Sequence, residues 1–249
     1  MKRIISIAVA VVMLISVLSF TACGTKVERT QIDDIYGMTP EEAYSVAMTY
    51  IAEDNPYQVN IGMDIAFDLK IMQIPVEIPE LYIYAYKDGN SHHLLTESGE
   101  AFLAEESLSS LVGSLFEGID KESWFVDGLY YRQTLNGEYL VSEAEQNPIS
   151  SGVLEEAADT VISEYIQGAT CYESEEGVFV EIVLTDDDTL LGTFPTEIYR
   201  VYFNDNGTID KITVTGEVNP ISMTATLNYS YDVEDITAPE NAEEFTFVD

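Results

Sequence analysis

The 249-residue sequence predicts an α+β fold in a single domain, built on a large, curved antiparallel β-sheet. Three observations point there. Apolar and polar residues alternate over 57–70 and again over 223–233, the signature of long strands with one dry and one wet face. Three other stretches, 39–51, 104–116 and 151–167, repeat their apolar residues at helical spacing. No linker separates helical from strand regions, so the elements belong to one layered domain.

The chain opens on Lys2 and Arg3, runs through an almost unbroken apolar stretch over 4–20, and closes it with Phe20-Thr21-Ala22-Cys23-Gly24. A basic start, an apolar middle and small residues before a cut site are the parts of an export signal. A cysteine directly after the small pair resembles the lipobox of bacterial lipoproteins, with Phe20 standing where Leu is usual. An ordinary signal peptide or an uncleaved anchor helix suits so short a run, ending in a cysteine, less well. The resemblance implies that residues 1–22 are removed and that the Cys23 thiol carries a diacylglycerol anchor. The mature chain is then held on the extracytoplasmic face of the cell membrane. Residues 23–38, short on apolar pattern, read as a tether, and 39–249 as the domain.

Composition narrows the function. The formal net charge is -35, from 45 acidic and 10 basic residues. Such a balance repels nucleic acid and anionic lipid head groups, which need clustered Lys and Arg. Membrane attachment therefore falls to the lipid on Cys23, and two or three acyl chains hold where one binds reversibly. With Cys23 acylated, Cys171 is left alone and the mature domain has no internal disulfide. Cys171 sits in a strand-like stretch with nothing basic nearby in sequence, so it reads as a small buried apolar residue.

Thr39-Pro40-Glu41-Glu42 has the form of a capping box with Pro in the first turn, and Tyr44, Ala47, Met48 and Ile51 supply the apolar stripe of the helix that follows. Asn55-Pro56 ends it. After the long strand over 57–70, Pro75 and Pro79 mark a break or an edge, since Pro cannot donate to a ladder. A strand over 81–86 places Tyr82, Tyr84 and Tyr86 on one face, and Lys87-Asp88-Gly89-Asn90 turns the chain. Leu108, Leu111, Val112, Leu115 and Ile119 give the middle helix its stripe despite Gly113. Short strands over 124–131 and 138–141 follow, with hairpin signals at Asp127-Gly128 and Asn136-Gly137. The third helix, over 151–167, stops at Gly168. Strands over 178–185, 197–203, 208–216 and 221–233 complete the chain, with Asn204-Asp205-Asn206-Gly207 turning between two of them.

This order, together with Tyr199-Arg200-Val201-Tyr202-Phe203, Asn206-Gly207-Thr208-Ile209, Leu227-Asn228-Tyr229-Ser230-Tyr231-Asp232 and Ile236-Thr237-Ala238-Pro239, resembles the LolA/LppX-like lipoprotein-carrier superfamily. The resemblance implies an incomplete, strongly curved antiparallel barrel whose concave face is covered by helices, with an apolar cavity between them for acyl chains or whole lipids. On that reading Met63, Ile65 and Phe67 of the first long strand, Leu111 and Leu115 of the middle helix, and Leu227 and Tyr229 of the last strand line the ligand site. Close packing is the ordinary state of a protein interior, and the same periodicity serves a solid core equally well.

Chemistry-bearing motifs are absent. No P-loop, dinucleotide fingerprint or G-x-S-x-G elbow occurs. The two histidines, His92 and His93, are adjacent, a spacing that gives no paired zinc ligands on helix or strand, and they read as a surface turn. Asp186-Asp187-Asp188 reads as a solvated tip before it reads as a calcium loop, and 202–213 lacks the acidic end positions of one. The sequence thus points to a non-enzymatic surface lipoprotein without metal or cofactor, binding an apolar ligand under a helical lid. The alternative is an envelope interaction module with a solid core and acidic loops.

Overall fold

The computed structural model describes residues 28–52, 55–69, 72–88, 91–95, 120–134, 137–145, 165–185, 195–218 and 221–248. These form thirteen strands and one α-helix. The chain divides into two compact units. The first is formed by residues up to Ala43, Met63–Pro79 and Tyr165–Thr226, the second by Tyr44–Gly62, Glu80–Glu164 and Leu227–Asp249.

In the first unit, β1 (Arg29–Gln31) pairs with β8 (Thr170–Ser174), and β9 (Gly177–Thr185), β10 (Thr196–Phe203) and β11 (Ile209–Val218) continue as an antiparallel meander. Register makes the core. Cys171, Val180, Val201 and Ile212 face one another across four strands, each at most 3% exposed. Ile182 and Tyr199 form the next row, and Leu184 and Glu197 the one after. The Glu197 carboxylate in this dry layer accepts a hydrogen bond from the Tyr199 hydroxyl at 2.8 Å. A buried carboxylate without such a donor would carry a desolvation penalty of several kcal/mol, about the worth of two well-buried aliphatic side chains.

In the second unit, β4 (Ser91–Leu95), β5 (Glu122–Val126), β6 (Leu129–Gln133) and β7 (Tyr139–Glu143) form an antiparallel run, and β13 (Thr246–Phe247) adds in parallel to β7. Asp127-Gly128 is the tight turn the dipeptide predicts, both residues at positive φ, 52° and 76°. Tyr131, Val141 and Phe245 make the core, with Phe245 edge-on to the rings of Tyr131 and Tyr139 at 5.3 and 5.2 Å. Three long strands, β2 (Tyr57–Leu69), β3 (Met72–Asp88) and β12 (Ile221–Ser230), carry the chain between units.

The helix α1 (Pro40–Ala52) starts as its capping box requires. The Thr39 N–H donates to Glu42 Oε2 at 2.9 Å and the Glu42 N–H to Thr39 Oγ1 at 3.2 Å. Those bonds hold the Glu42 carboxyl below its ordinary range. Ala43, Tyr44, Ala47 and Ile51 form its buried stripe.

The half-barrel covered by helices is not the fold of the described chain, which is mostly strand with one α-helix. Its sheet does not close, and no helix covers a concave face among the described residues. The expected helix over 104–116 and residues 151–164 of the one expected over 151–167 lie outside the described residues, and the end of that second helix is a 3-10 turn, Ile166–Gly168, leading into β8. Stretches read as irregular are strand instead. Pro75 and Pro79 stand four residues apart, so both lack their donor on the same side of β3, and the strand runs through them. Within the expected tether lie β1 and a two-residue turn at Tyr36-Gly37, both at positive φ, closed by paired 2.9 Å bonds between Ile35 and Met38. The expected dry face also thins out. Tyr57 and Val59 are buried at the start of β2, but Met63 and Ile65 are half-buried, as are Met223, Ala225 and Leu227 on β12.

Candidate functional site

One cross-strand row of the second unit builds a cavity wall. Ala85 of β3 faces His93 of β4, His93 faces Trp124 of β5, Trp124 faces Tyr131 of β6, and Tyr131 faces Val141 of β7. The far end of this row is the apolar core. The near end opens into a cavity of about 580 Å³, within the range of small-ligand sites. The His93 and Trp124 rings lie 5.0 Å apart and within 8° of parallel, stacked one on the other. Glu122, two residues before Trp124 and on the same face, accepts a 2.8 Å hydrogen bond from His93 Nε2, which fixes the imidazole against the indole.

The opposite side is the segment that leaves β12, residues 232–240, which forms no helix or strand and brings Asp232, Glu234, Asp235 and Glu240 to the rim. Edge-on contact between Tyr231 and Tyr50, at 5.3 Å, holds the start of this segment. Lys87 Nζ donates to the Val233 carbonyl oxygen at 2.7 Å and stands 3.6 Å from Asp235. Asp235 is 92% exposed, so the backbone bond, not the ion pair, pins the segment. Among the described residues, Asp232, Glu234 and Glu240 have no cationic partner within ion-pair distance.

The first unit treats charge in the opposite way. Glu181 of β9 is buried and accepts from both Arg29 Nη1 and, at 2.9 Å, Arg200 Nε. Beside it, Tyr172, Phe179 and Tyr202 stack in register across three strands, with ring centroids 5.5 and 4.8 Å apart. Arg29 lies over Tyr172 and Lys211 over Tyr202, and Lys211 also bonds Glu176 at 2.6 Å. Burial, helped by Glu176, pushes the Tyr202 hydroxyl up. Every charge in this cluster has a partner, so it is a fastening and not a receptor.

The sequence-read ligand residues do not converge on the cavity. Met63 and Ile65 lie on β2 in the first unit, Leu227 and Tyr229 on β12 in the second, and none of the four lines it. Tyr229 packs 6.3 Å from the Tyr57 ring. Leu111, Leu115 and the anchor residue Cys23 lie outside the described residues, as does the side chain of Phe67. Asp186-Asp187-Asp188 lies outside them too. Cys171 is buried on a strand, and burial raises its thiol pKa, with Asp34 adding to the shift. His92 and His93, read as a turn, are instead in β4, and the strand gives His93 its place in the wall. The signal that could have found the site was Trp124, the one tryptophan in the chain.

Among the described residues, no three His, Cys, Asp or Glu side chains are placed to hold a metal. No described helix is long and apolar enough to cross a membrane. No protein-family model matches the chain, and no curated protein matches it. What the cavity offers is a stacked aromatic pair, an oriented carboxylate and a rim of acids.

Proposed function

We propose that the chain is a lipoprotein held on the extracytoplasmic face of a membrane through Cys23, and that its folded part is a non-enzymatic recognition module for another component of the cell envelope. The anchor follows from the segment ending in Ala22-Cys23-Gly24. The observation that carries the recognition role is the wall of the second unit's cavity, where Trp124, His93, Glu122 and four further acids share the lining with small apolar side chains such as Val233 and Pro239, a more polar surface than an acyl chain needs. The apolar side chains that a carrier would show its lipid are, in each unit, largely engaged in rows such as Cys171-Val180-Val201-Ile212 and the Phe245 cluster.

Substituting Cys23→Ala in the producing cell tests the anchor. The unsubstituted protein is expected to begin at Cys23 and carry the mass of its acyl chains, absent from the variant, and an unacylated Cys23 in the unsubstituted protein would contradict the anchor. A second reading has one observation in its favour: in the first unit, Met63, Ile65, Met223 and Ala225 keep part of their apolar surface exposed. That surface supports an apolar ligand bound without a helical lid. Native mass spectrometry of the detergent-extracted protein separates the two, since stoichiometric lipid beyond the anchor itself favours the carrier and its absence favours recognition.

A further inference from the structure

We infer that the cavity of the second unit is a receptor for a guanidinium group, presented as an arginine side chain by a basic peptide segment of the envelope partner; this deepens the recognition role proposed above and rests on it. Guanidinium is a flat cation that stacks on aromatic rings and donates in a fork to carboxylates. The cavity supplies both features. Its lining includes the stacked rings of His93 and Trp124, and Glu122 stands beside them, oriented by the hydrogen bond from His93. Its volume, about 580 Å³, exceeds what one side chain fills and leaves room for the flanking backbone of a peptide.

The rim adds attraction. Asp232, Glu234 and Glu240 meet no cation within the described residues, in a chain with 45 acids and 10 bases. Their field draws a cation toward the opening and is screened as salt rises. The chain itself shows that this segment accommodates a basic side chain, because the Lys87 ammonium is held by the Val233 carbonyl and approached by Asp235. A free carboxylate ligand or an anionic lipid head group would meet the same field as repulsion.

Trp124 provides the readout, since it is the only tryptophan in the chain and lines the cavity. Full-length protein in detergent is titrated with a tetra-arginine peptide while indole emission is followed, with a tetra-glutamate peptide as the control. A saturable change is expected for tetra-arginine alone, weakening as salt is raised. Glu122→Gln keeps the shape of the side chain and is expected to lower affinity about tenfold, the loss of one charge-assisted hydrogen bond. Glu176→Gln, at the Lys211 pair of the first unit, is expected to leave affinity unchanged, and the unliganded emission spectrum of each variant reports whether the second unit is intact. No saturation with tetra-arginine, or equal affinity in Glu122→Gln with its spectrum intact, overturns the assignment. Either result leaves the anchor standing, because the acyl mass on Cys23 reads it separately.

Discussion

The two units of this protein handle carboxylates in opposite ways. In the first, Glu181 is buried between Arg29 and Arg200, Glu176 is bonded to Lys211, and Glu197 lies under the Tyr199 hydroxyl. In the second, Glu122 meets only an imidazole, and three rim acids meet no cation among the described residues. A buried charge is tolerated only when paired and hydrogen-bonded, so the first arrangement commits its ions to the fold. Exposed like charges gathered at one opening contribute nothing to stability and repel one another. The second arrangement therefore makes physical sense as capacity held for a ligand.

Several changes sharpen or break that contrast. The largest effect belongs to the apolar core of the second unit, which on this account supplies its stability in place of ions. Phe245→Ala should destabilise that unit by about 3–4 kcal/mol, seen as a lower urea midpoint for the Trp124 emission transition. A loss below about 1 kcal/mol would mean the unit is held by something else.

Next comes the ion cluster of the first unit. Arg200→Ala leaves Glu181 one arginine and uncovers the Phe179 ring, so about 2 kcal/mol should be lost from the transition followed by far-UV circular dichroism. The value sits below that for a wholly buried pair because Arg200 is 28% exposed and Arg29 remains. An unchanged midpoint would put this cluster in the same category as the acidic rim.

The smallest effect concerns Asp120, a carboxylate of the second unit that belongs to its fold. Burial raises its pKa, against the opposing pull of Arg132 and the hydrogen bond donated by Tyr130. A raised acid pKa means the folded state holds the proton more tightly. Its contribution is present below the unfolded value, about 3.9, and is lost as pH rises through the folded value. Asp120→Asn should remove that loss, flattening the stability profile of the second unit as pH rises above about 4. A profile as steep as that of the unsubstituted protein would argue that Asp120 ionises without penalty.

Much of the local structure was legible in the chain. The capping box at Thr39 to Glu42, the Asp127-Gly128 hairpin and the Asn204 to Gly207 turn each carry their geometry in a few adjacent residues. Long alternating runs gave β2, β9, β10, β11 and β12 within a few residues of their bounds. What escaped were short elements and the Pro-bearing first half of β3. β1, β4 and β13 have three, five and two residues, too few to show a period, and their neighbours define them as strands. The cavity escaped for a related reason. Ala85, His93 and Trp124 meet only through strand register, and no spacing along the chain announces that row. The expected half-barrel covered by helices failed because apolar periodicity reports that a face is dry but not what lies against it.

The claim that Glu181 of the first unit serves the fold while the rim acids of the second are held for a ligand has a direct measurement. Urea unfolding free energies are compared for Glu181→Gln and for the combined variant Asp232→Asn, Glu234→Gln, Glu240→Gln, each followed by far-UV circular dichroism. The account predicts a loss of about 2 kcal/mol or more for Glu181→Gln and no loss, or a small gain from relieved repulsion, for the rim variant. A rim variant destabilised as strongly as Glu181→Gln would contradict it.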